Sequence, residues 1–256
     1  MPACCTCLLL LSSYNAAMRI DVLTLFPKMF EGVLGSSILK RAAEAVPDPK
    51  DRSQTRAAVV SYHVHDIRAY STDKHGSVDD SSAGGGPGMV IQCQPVWDCV
   101  QAVEAMDERP ATRILLSPQG MPLTQKVVEK LTQHPRLLLI AGHYEGFDER
   151  VIQKLAPMEI SIGDYVLSGG ELPAMVLIDS IVRLLPGVVG DAASVEHESF
   201  SASAEGMLDY PHYTRPRVWL DMPIPEVLLS GDHAKIEAWR REKAKQRTQE
   251  RRPDLL

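Results

Sequence analysis

Short apolar runs alternate with amphipathic ones along this chain. Ile20–Leu25, Ala58–Val64, Arg113–Leu116, Leu137–Ala141 and Glu159–Ile162 are brief, apolar and bounded by turn residues, so each predicts a strand. Between them, Pro27–Ala45, Pro95–Met106, Thr124–Gln133, Asp148–Leu155 and Glu171–Leu184 carry helical spacing. Thr124 suits a helix cap, and Pro27 and Pro95 suit first-turn positions. Strands alternating with helices predict an α/β fold, a parallel sheet with helices on both faces. The rhythm stops near Pro186. Gly206–Leu256 offers no strand candidate, several prolines and one amphipathic helix, Ala234–Gln246, which predicts a small C-terminal helical domain. The boundaries that follow are an α/β domain over 18–186, a linker over 187–205 and the helical domain over 206–256. Val46–Arg56 and Asp73–Gly88 read as surface loops, the second one glycine-rich.

At 256 residues, 45% hydrophobic and 23% charged, the chain has the composition of a soluble globular protein. No apolar run approaches the roughly 18 residues that cross a bilayer, so a membrane is not among the expected partners. Net charge is −6, which weighs against bulk nucleic-acid binding. Gly231–Leu256 nevertheless holds eight Lys/Arg against five Asp/Glu, a local +3 that leaves −9 for the remainder. A basic tail on an acidic body fits a local nucleic-acid contact, and fits equally a solvated helix face. Five cysteines show no metal-site spacing, which points to a reducing cytoplasm. The first 17 residues, MPACCTCLLLLSSYNAA, read as a disordered extension or a mis-assigned start, and less well as a targeting segment.

Three predicted strands end in glycine-bearing turns: LLSPQG, AGHYEGF and SIGDYVLSGG. In a parallel sheet, ligands bind beyond the carboxyl ends of the strands, so the three turns predict one shared pocket. It offers backbone groups, the hydroxyls of Ser117, Ser161, Ser168, Tyr144 and Tyr165, and the carboxylates of Glu145 and Asp164, with no Lys or Arg. Such a pocket repels a polyphosphate and welcomes a purine, a ribose or a sulfonium. A further glycine cluster, GGGPGM from Gly84 to Met89, fits neither the Walker phosphate loop nor the dinucleotide fingerprint.

RIDVLTLFPKMF, SVDD, GGGPGM, LSPQG, GHYEGFDERV, SIGDYVLSGGELPAM, DSIVRLLPGV, YPHYTRP, PEVLLSGDH and RRPDLL occur in that order from Met18 to Leu256. Together they resemble the bacterial tRNA (guanine-N1) methyltransferases of the SPOUT class. The resemblance implies a deep trefoil knot and an enzyme, a transferase making 1-methylguanosine at the guanosine 3′ of the tRNA anticodon. It implies a homodimer with composite active sites and bound S-adenosylmethionine. The cofactor would lie against Leu115, Leu116, Ser117, Pro118, Gly142, Tyr144, Glu145, Ser161, Ile162, Gly163, Tyr165, Leu167, Gly169, Gly170 and Pro173. It would also place substrate contacts at Asp79, Gly88, Glu145, Ser194, Arg240 and Arg241, with Lys243 and Arg247 beside the last two. Arg183 matches the family's catalytic cation. Mg2+ enters as a second cofactor, with Asp164 or Glu198 as its carboxylates, though no ligand cluster is visible in the sequence.

The chain departs from the family in two places. VEHESF puts Glu198 where the family carries its catalytic Asp, with Glu196 and His197 as weaker bases. Ser81-Ser82-Ala83 stands where an Arg-Pro-Tyr pattern is usual. These departures keep two alternatives open: a SPOUT methyltransferase of another RNA guanosine, and a protein that binds S-adenosylmethionine and tRNA without turnover.

Overall fold

The computed structural model describes residues 17–47, 53–189 and 198–256. The predicted N-terminal extension, apart from Ala17, lies outside them. The chain divides into two compact units, Met1–Gly190 and Asp191–Leu256.

In the first unit the strands run β1 (Met18–Thr24), the short β2 (Val46–Pro47) and β3 (Thr55–Arg56), β4 (Val60–Asp66), and the short β5 (Asp79–Ser81) and β6 (Met89–Ile91). After them come β7 (Thr112–Pro122), β8 (Arg136–Ala141) and β9 (Met158–Ser161). The helices are α1 (Glu31–Leu34), α2 (Ser37–Ala42), α3 (Cys93–Glu104), α4 (Gln125–Leu131), α5 (Glu149–Leu155) and α6 (Glu171–Val182). Five strands form one parallel sheet in the order β4-β1-β8-β7-β9.

Side chains alternate across this sheet, as a two-residue period requires. Ile20, Val22, Ile114, Leu137 and Leu139 pack on one face with residues of α2, α4 and α6. Leu23, Leu115, Leu138 and Ile140 pack on the other with residues of α3 and α5. The predicted α/β class, with helices on both faces, is therefore what the chain forms. Burial pushes the Cys99 thiol on α3 up to about 12, as suits a core residue with no thiolate chemistry.

Three local expectations need correction. The helix predicted over Pro27–Ala45 breaks at Gly35-Ser36 into a 3-10 turn (Pro27–Phe30), α1 and α2. The loop predicted over Asp73–Gly88 contains β5, which pairs antiparallel with β6, so GGGPG forms the tip of a hairpin. The strand predicted over Arg113–Leu116 runs on to Pro122: Leu116 and Met121 both register on Ile160, and Ser117–Gly120 bulge out of the ladder between them. A four-residue excursion that returns to the same partner has no signature in apolar periodicity.

The second unit holds β10 (Val218–Trp219) and β11 (Met222–Pro223), a hairpin the sequence pattern did not announce, then α7 (Glu226–Leu229) and α8 (His233–Arg251). Two-residue strands beside prolines are too short for a periodic signal. Helix α8 extends the prediction by five residues at its C-terminal end, and buries only Ala244 and Thr248, one turn apart. No described helix is long and apolar enough to cross a membrane.

One charge sits at the heart of the sheet. Asp21, fully buried on β1, accepts from Arg19 at 2.8 Å and from Arg136 at 3.0 Å, and lies 2.9 Å from His65 Nε2. Arg136, at the start of β8, also donates to the carbonyls of Val103, Glu104 and Asp107 at 2.6 to 3.0 Å. Burial alone would push the Asp21 carboxyl up. Hydrogen bonds from His65, Arg19 and Arg136 outweigh that and hold it well below the usual carboxylate range. A depressed carboxyl stabilises the fold above its unfolded value near pH ~4, and that stability drains away as pH falls further. Asp21→Asn should remove it and leave buried Arg136 uncompensated, at a cost of about 3–5 kcal/mol in urea unfolding. The variant's stability should also fall less steeply below pH ~4 than that of the parent.

Candidate functional site

Because β7, β8 and β9 are parallel, their carboxyl ends reach the same edge of the sheet. The segments that follow enclose a cavity of about 320 Å3. Leu115, Leu116, Ser117 and Pro118 come from the bulging end of β7; Gly142, Tyr144 and Glu145 follow β8. Ser161, Ile162, Gly163, Tyr165, Leu167, Gly169, Gly170 and Pro173 come from β9 to α6. All fifteen residues that the family resemblance named for the cofactor thus line one cavity.

Its carboxylates are those of Glu145, Glu149 and Glu159, His143 is its imidazole, and no Lys or Arg lines it. Asp164, read from the sequence as a pocket carboxylate, is not part of that lining. The Tyr165 N–H donates to the Gly163 carbonyl at 2.9 Å, and the tight turn so closed carries Asp164 exposed at its apex. Buried Ser161 ties this turn, its hydroxyl donating to the Gly163 carbonyl at 3.0 Å. At the rim, Arg68 donates to the Tyr144 hydroxyl at 3.3 Å. Asp148 caps α5 and is held well below the carboxylate range by hydrogen bonds from Arg150.

The glycines of SGGE serve the chain itself. Gly170 donates its N–H to the Gly142 carbonyl at 2.7 Å. A Cβ on Gly170 would lie 2.8 Å from the Ala141 Cα and 3.0 Å from the Gly142 nitrogen. One on Gly169 would run into His143 Nε2 and lie 2.5 Å from Glu171 Oε2. One on Gly120 would lie 2.7 Å from the Glu159 carbonyl oxygen. The turn before α6 thus meets the end of β8 at backbone distance, and the β7 bulge meets β9 in the same way.

Sequence reasoning passed over two residues here. Glu171, the first residue of α6, is only 1% exposed. Its Oε1 accepts from the Thr24 hydroxyl at 2.6 Å, and its Oε2 lies 2.8 Å from His143 Nε2 without hydrogen-bond alignment. Phe26 packs on the His143 ring at 4.5 Å. An acid in a first helical turn reads as an ordinary dipole partner, and that hid its burial. His143 stood in plain view between Gly142 and Tyr144.

The glycine-rich hairpin reaches the same edge. Glu145 donates its N–H to the Met89 carbonyl at 3.0 Å, and Ile91 donates to the Gly146 carbonyl at 2.9 Å. Gly88, at φ +88°, lies against the Glu145 side chain, and Asp79 pairs with Ile91 across the ladder. Asp79, Gly88 and Glu145 are thus gathered on connected strands and loops. Arg183 is the C-cap of α6, half-buried and outside the cavity lining. Glu198 belongs to the second unit, where it is half-buried and its carbonyl accepts from the Ser201 N–H at 3.1 Å. Ser194, Glu196 and His197 lie outside the described residues.

The basic residues of α8 divide into two kinds. Arg240 sits 4.9 Å over the Tyr210 ring, and Arg247 donates to the Asp209 carbonyl at 3.1 Å, so both hold the unit together. Arg241 and Lys245 are exposed, and Lys243 donates to Gln246 at 2.9 Å. Trp239 packs against Tyr213 at 6.2 Å between ring centroids, as a helix anchor does.

The family model described as tRNA (Guanine-1)-methyltransferase TrmD matches residues 18–256. The chain is 52% identical over 239 residues to the tRNA (guanine-N(1)-)-methyltransferase of Chloroflexus aurantiacus, covering 93% of this chain and 88% of that relative. Identity to the Bacillus subtilis protein of the same name is also 52%, with 93% and 92% covered. For the Dehalococcoides mccartyi protein it is 51%, with 93% and 90% covered.

The close approach makes a steric prediction. Gly170→Ala should destabilise the protein by about 1–3 kcal/mol in denaturant titration, since the obstructing atoms are backbone. Gly32→Ala, in a helix with nothing within 4 Å of the new methyl group, should be neutral or slightly stabilising. Equal effects at the two positions would show that the contact beneath the cavity is looser than its distances.

Proposed function

The chain belongs to the tRNA (guanine-1)-methyltransferase family, and from that premise we propose that it methylates guanine N1 of tRNA using S-adenosylmethionine. The target is the guanosine 3′ of the anticodon, and the product is 1-methylguanosine. The observation that carries this reading is the cation-free cavity at the carboxyl ends of three parallel strands, within a match that runs nearly the whole chain. Its size falls in the range of roughly 300–1,000 Å3 typical of small-molecule sites. Its chemistry fits the cofactor: backbone groups for adenine edges, Leu116, Ile162 and Leu167 for its faces, and Glu145, Glu149 and Glu159 toward a cationic centre. When bound, S-adenosylmethionine supplies an electrophilic methyl group on a sulfonium.

The remaining chemistry falls to the protein. Guanine N1 carries a proton at neutral pH and is a weak nucleophile. Glu198 takes that proton, and the Arg183 guanidinium offsets the charge that moves onto O6. General-base assistance is worth about 10²–10⁴-fold, and a fixed cation stabilises developing charge further. Glu145 accepts from the donor-rich Watson–Crick edge of the guanine. Among the described residues, no group of three or more His, Cys, Asp or Glu gathers to hold a metal ion.

Arg183 closes a helix that starts at the cavity floor, so twelve residues at 1.5 Å each put it about 18 Å away along the axis. A catalytic cation that far from the cofactor cavity of its own chain supports a homodimer with composite sites, in which a second copy completes each cavity. Leu172 and Val176 on α6, each about half exposed, are apolar surface for such a partner. The deep trefoil knot expected of the SPOUT class belongs to this reading, as does a tRNA-binding role for the second unit. There exposed cations of α8 such as Arg241 and Lys245 would meet phosphate, and binding should weaken steeply with salt.

Incubation with labelled S-adenosylmethionine and unmodified tRNAs tests the reading. Transfer should be confined to tRNAs with a guanosine before the target, and transfer to any other RNA guanosine would replace the proposed substrate. Glu198→Gln should lower kcat by about 10²–10⁴-fold while cofactor affinity stays near that of the parent. Parental turnover in that variant would remove Glu198 from the role of base.

A further inference from the structure

In the second unit, residues 212 to 223 are all exposed, and their centre is an ordered hairpin. Val218 pairs with Pro223 and Trp219 with Met222, and the Ile224 N–H extends the ladder to the Arg217 carbonyl at 2.8 Å. Alternation along a strand puts Arg217, Trp219 and Met222 on one face. Trp219 is 59% exposed and Met222 57%. The turn runs through Leu220 and Asp221, both at positive φ, of 46° and 60°. Two successive left-handed residues, neither of them glycine, are a costly way to close a hairpin, and such strain gathers at functional segments. Arg215 and Arg217 are exposed and make no ion pair among the described residues.

A large indole held out by an ordered strand, with unpaired guanidiniums beside it, is not explained by packing. A protein partner of acidic character would pair the arginines and leave the indole without a purpose. Single-stranded RNA uses both, because any base has a face that stacks on an aromatic ring and each nucleotide brings a phosphate. We propose that the β10–β11 hairpin is a stacking platform for an unpaired RNA base, with Trp219 under the base and Arg217 on an adjoining phosphate. This inference rests on the tRNA-modifying reading. A target base drawn out of its loop stack leaves its neighbours splayed, and Trp219 receives one of them.

The test compares the parent, Trp219→Ala, Trp219→Phe and Arg217→Gln for binding of a fluorescein-labelled RNA stem-loop with a guanosine-bearing single-stranded loop. Trp219→Ala should weaken binding about 5- to 150-fold, and Trp219→Phe should restore most of that loss. Arg217→Gln should weaken binding and reduce the salt slope by about one. Cofactor affinity, melting temperature and sedimentation should be unchanged in all three. Unaltered RNA affinity in Trp219→Ala overturns the proposal. So does a change of oligomeric state, which would make the hairpin a contact between copies of the chain. If the parent binds the stem-loop but methylates no tRNA, the functional reading fails while the platform still stands.

Discussion

The site depends on two close approaches of bare backbone. The turn before α6 meets the end of β8 so closely that a methyl group on Gly170 would lie 2.8 Å from the Ala141 Cα, and the bulge at Ser117–Gly120 packs as closely on β9, where one on Gly120 would lie 2.7 Å from the Glu159 carbonyl oxygen. Bare backbone at these crossings lets the turns after β7, β8 and β9 share one cavity. The glycines that suggest a ligand cradle in the sequence first clear the chain for itself. Glu171 and His143 lie at the same crossing, and the Thr24 hydroxyl ties them to the end of β1.

Charge is arranged along the same axis. In the middle of the sheet, Asp21 is buried among Arg19, His65 and Arg136, a full set of partners for a carboxylate that could not otherwise remain ionised in the core. At the carboxyl ends, Glu145, Glu149 and Glu159 face a cavity with no lining cation. The sheet interior uses paired charge to hold strands together, and the cavity presents carboxylates with no Lys or Arg in its lining.

Much of the fold was legible because apolar periodicity reports burial. All five main strands and four of the five helical segments between them lie where the alternation of apolar runs put them, because each buries its pattern against the same two-faced sheet. The misses were features without a period. The helix over Pro27–Ala45 breaks at Gly35-Ser36, the β7 bulge returns to the same partner, and β10–β11 is too short to alternate. At the site, the fifteen cavity residues were legible because their turns follow successive strands and resemble a family pattern. Asp164 was misjudged because a turn of three residues reverses an outlook that spacing cannot show. The sequence pattern did not show that Arg240 stacks over Tyr210 or that Arg247 reaches the Asp209 carbonyl, because both contacts join segments far apart in the chain.

By itself, the order of residues determined which segments are strands and helices, which turns carry glycine, and that the candidate pocket would lack cations. These are local properties of pattern and side-chain type. Only the tertiary structure decided that the three turns meet, that Glu171 is buried against His143, and that Arg183 stands a full helix away from the cavity floor. Such outcomes depend on distances between segments far apart in the chain, and those are set by how the sheet packs and not by the composition of any one stretch.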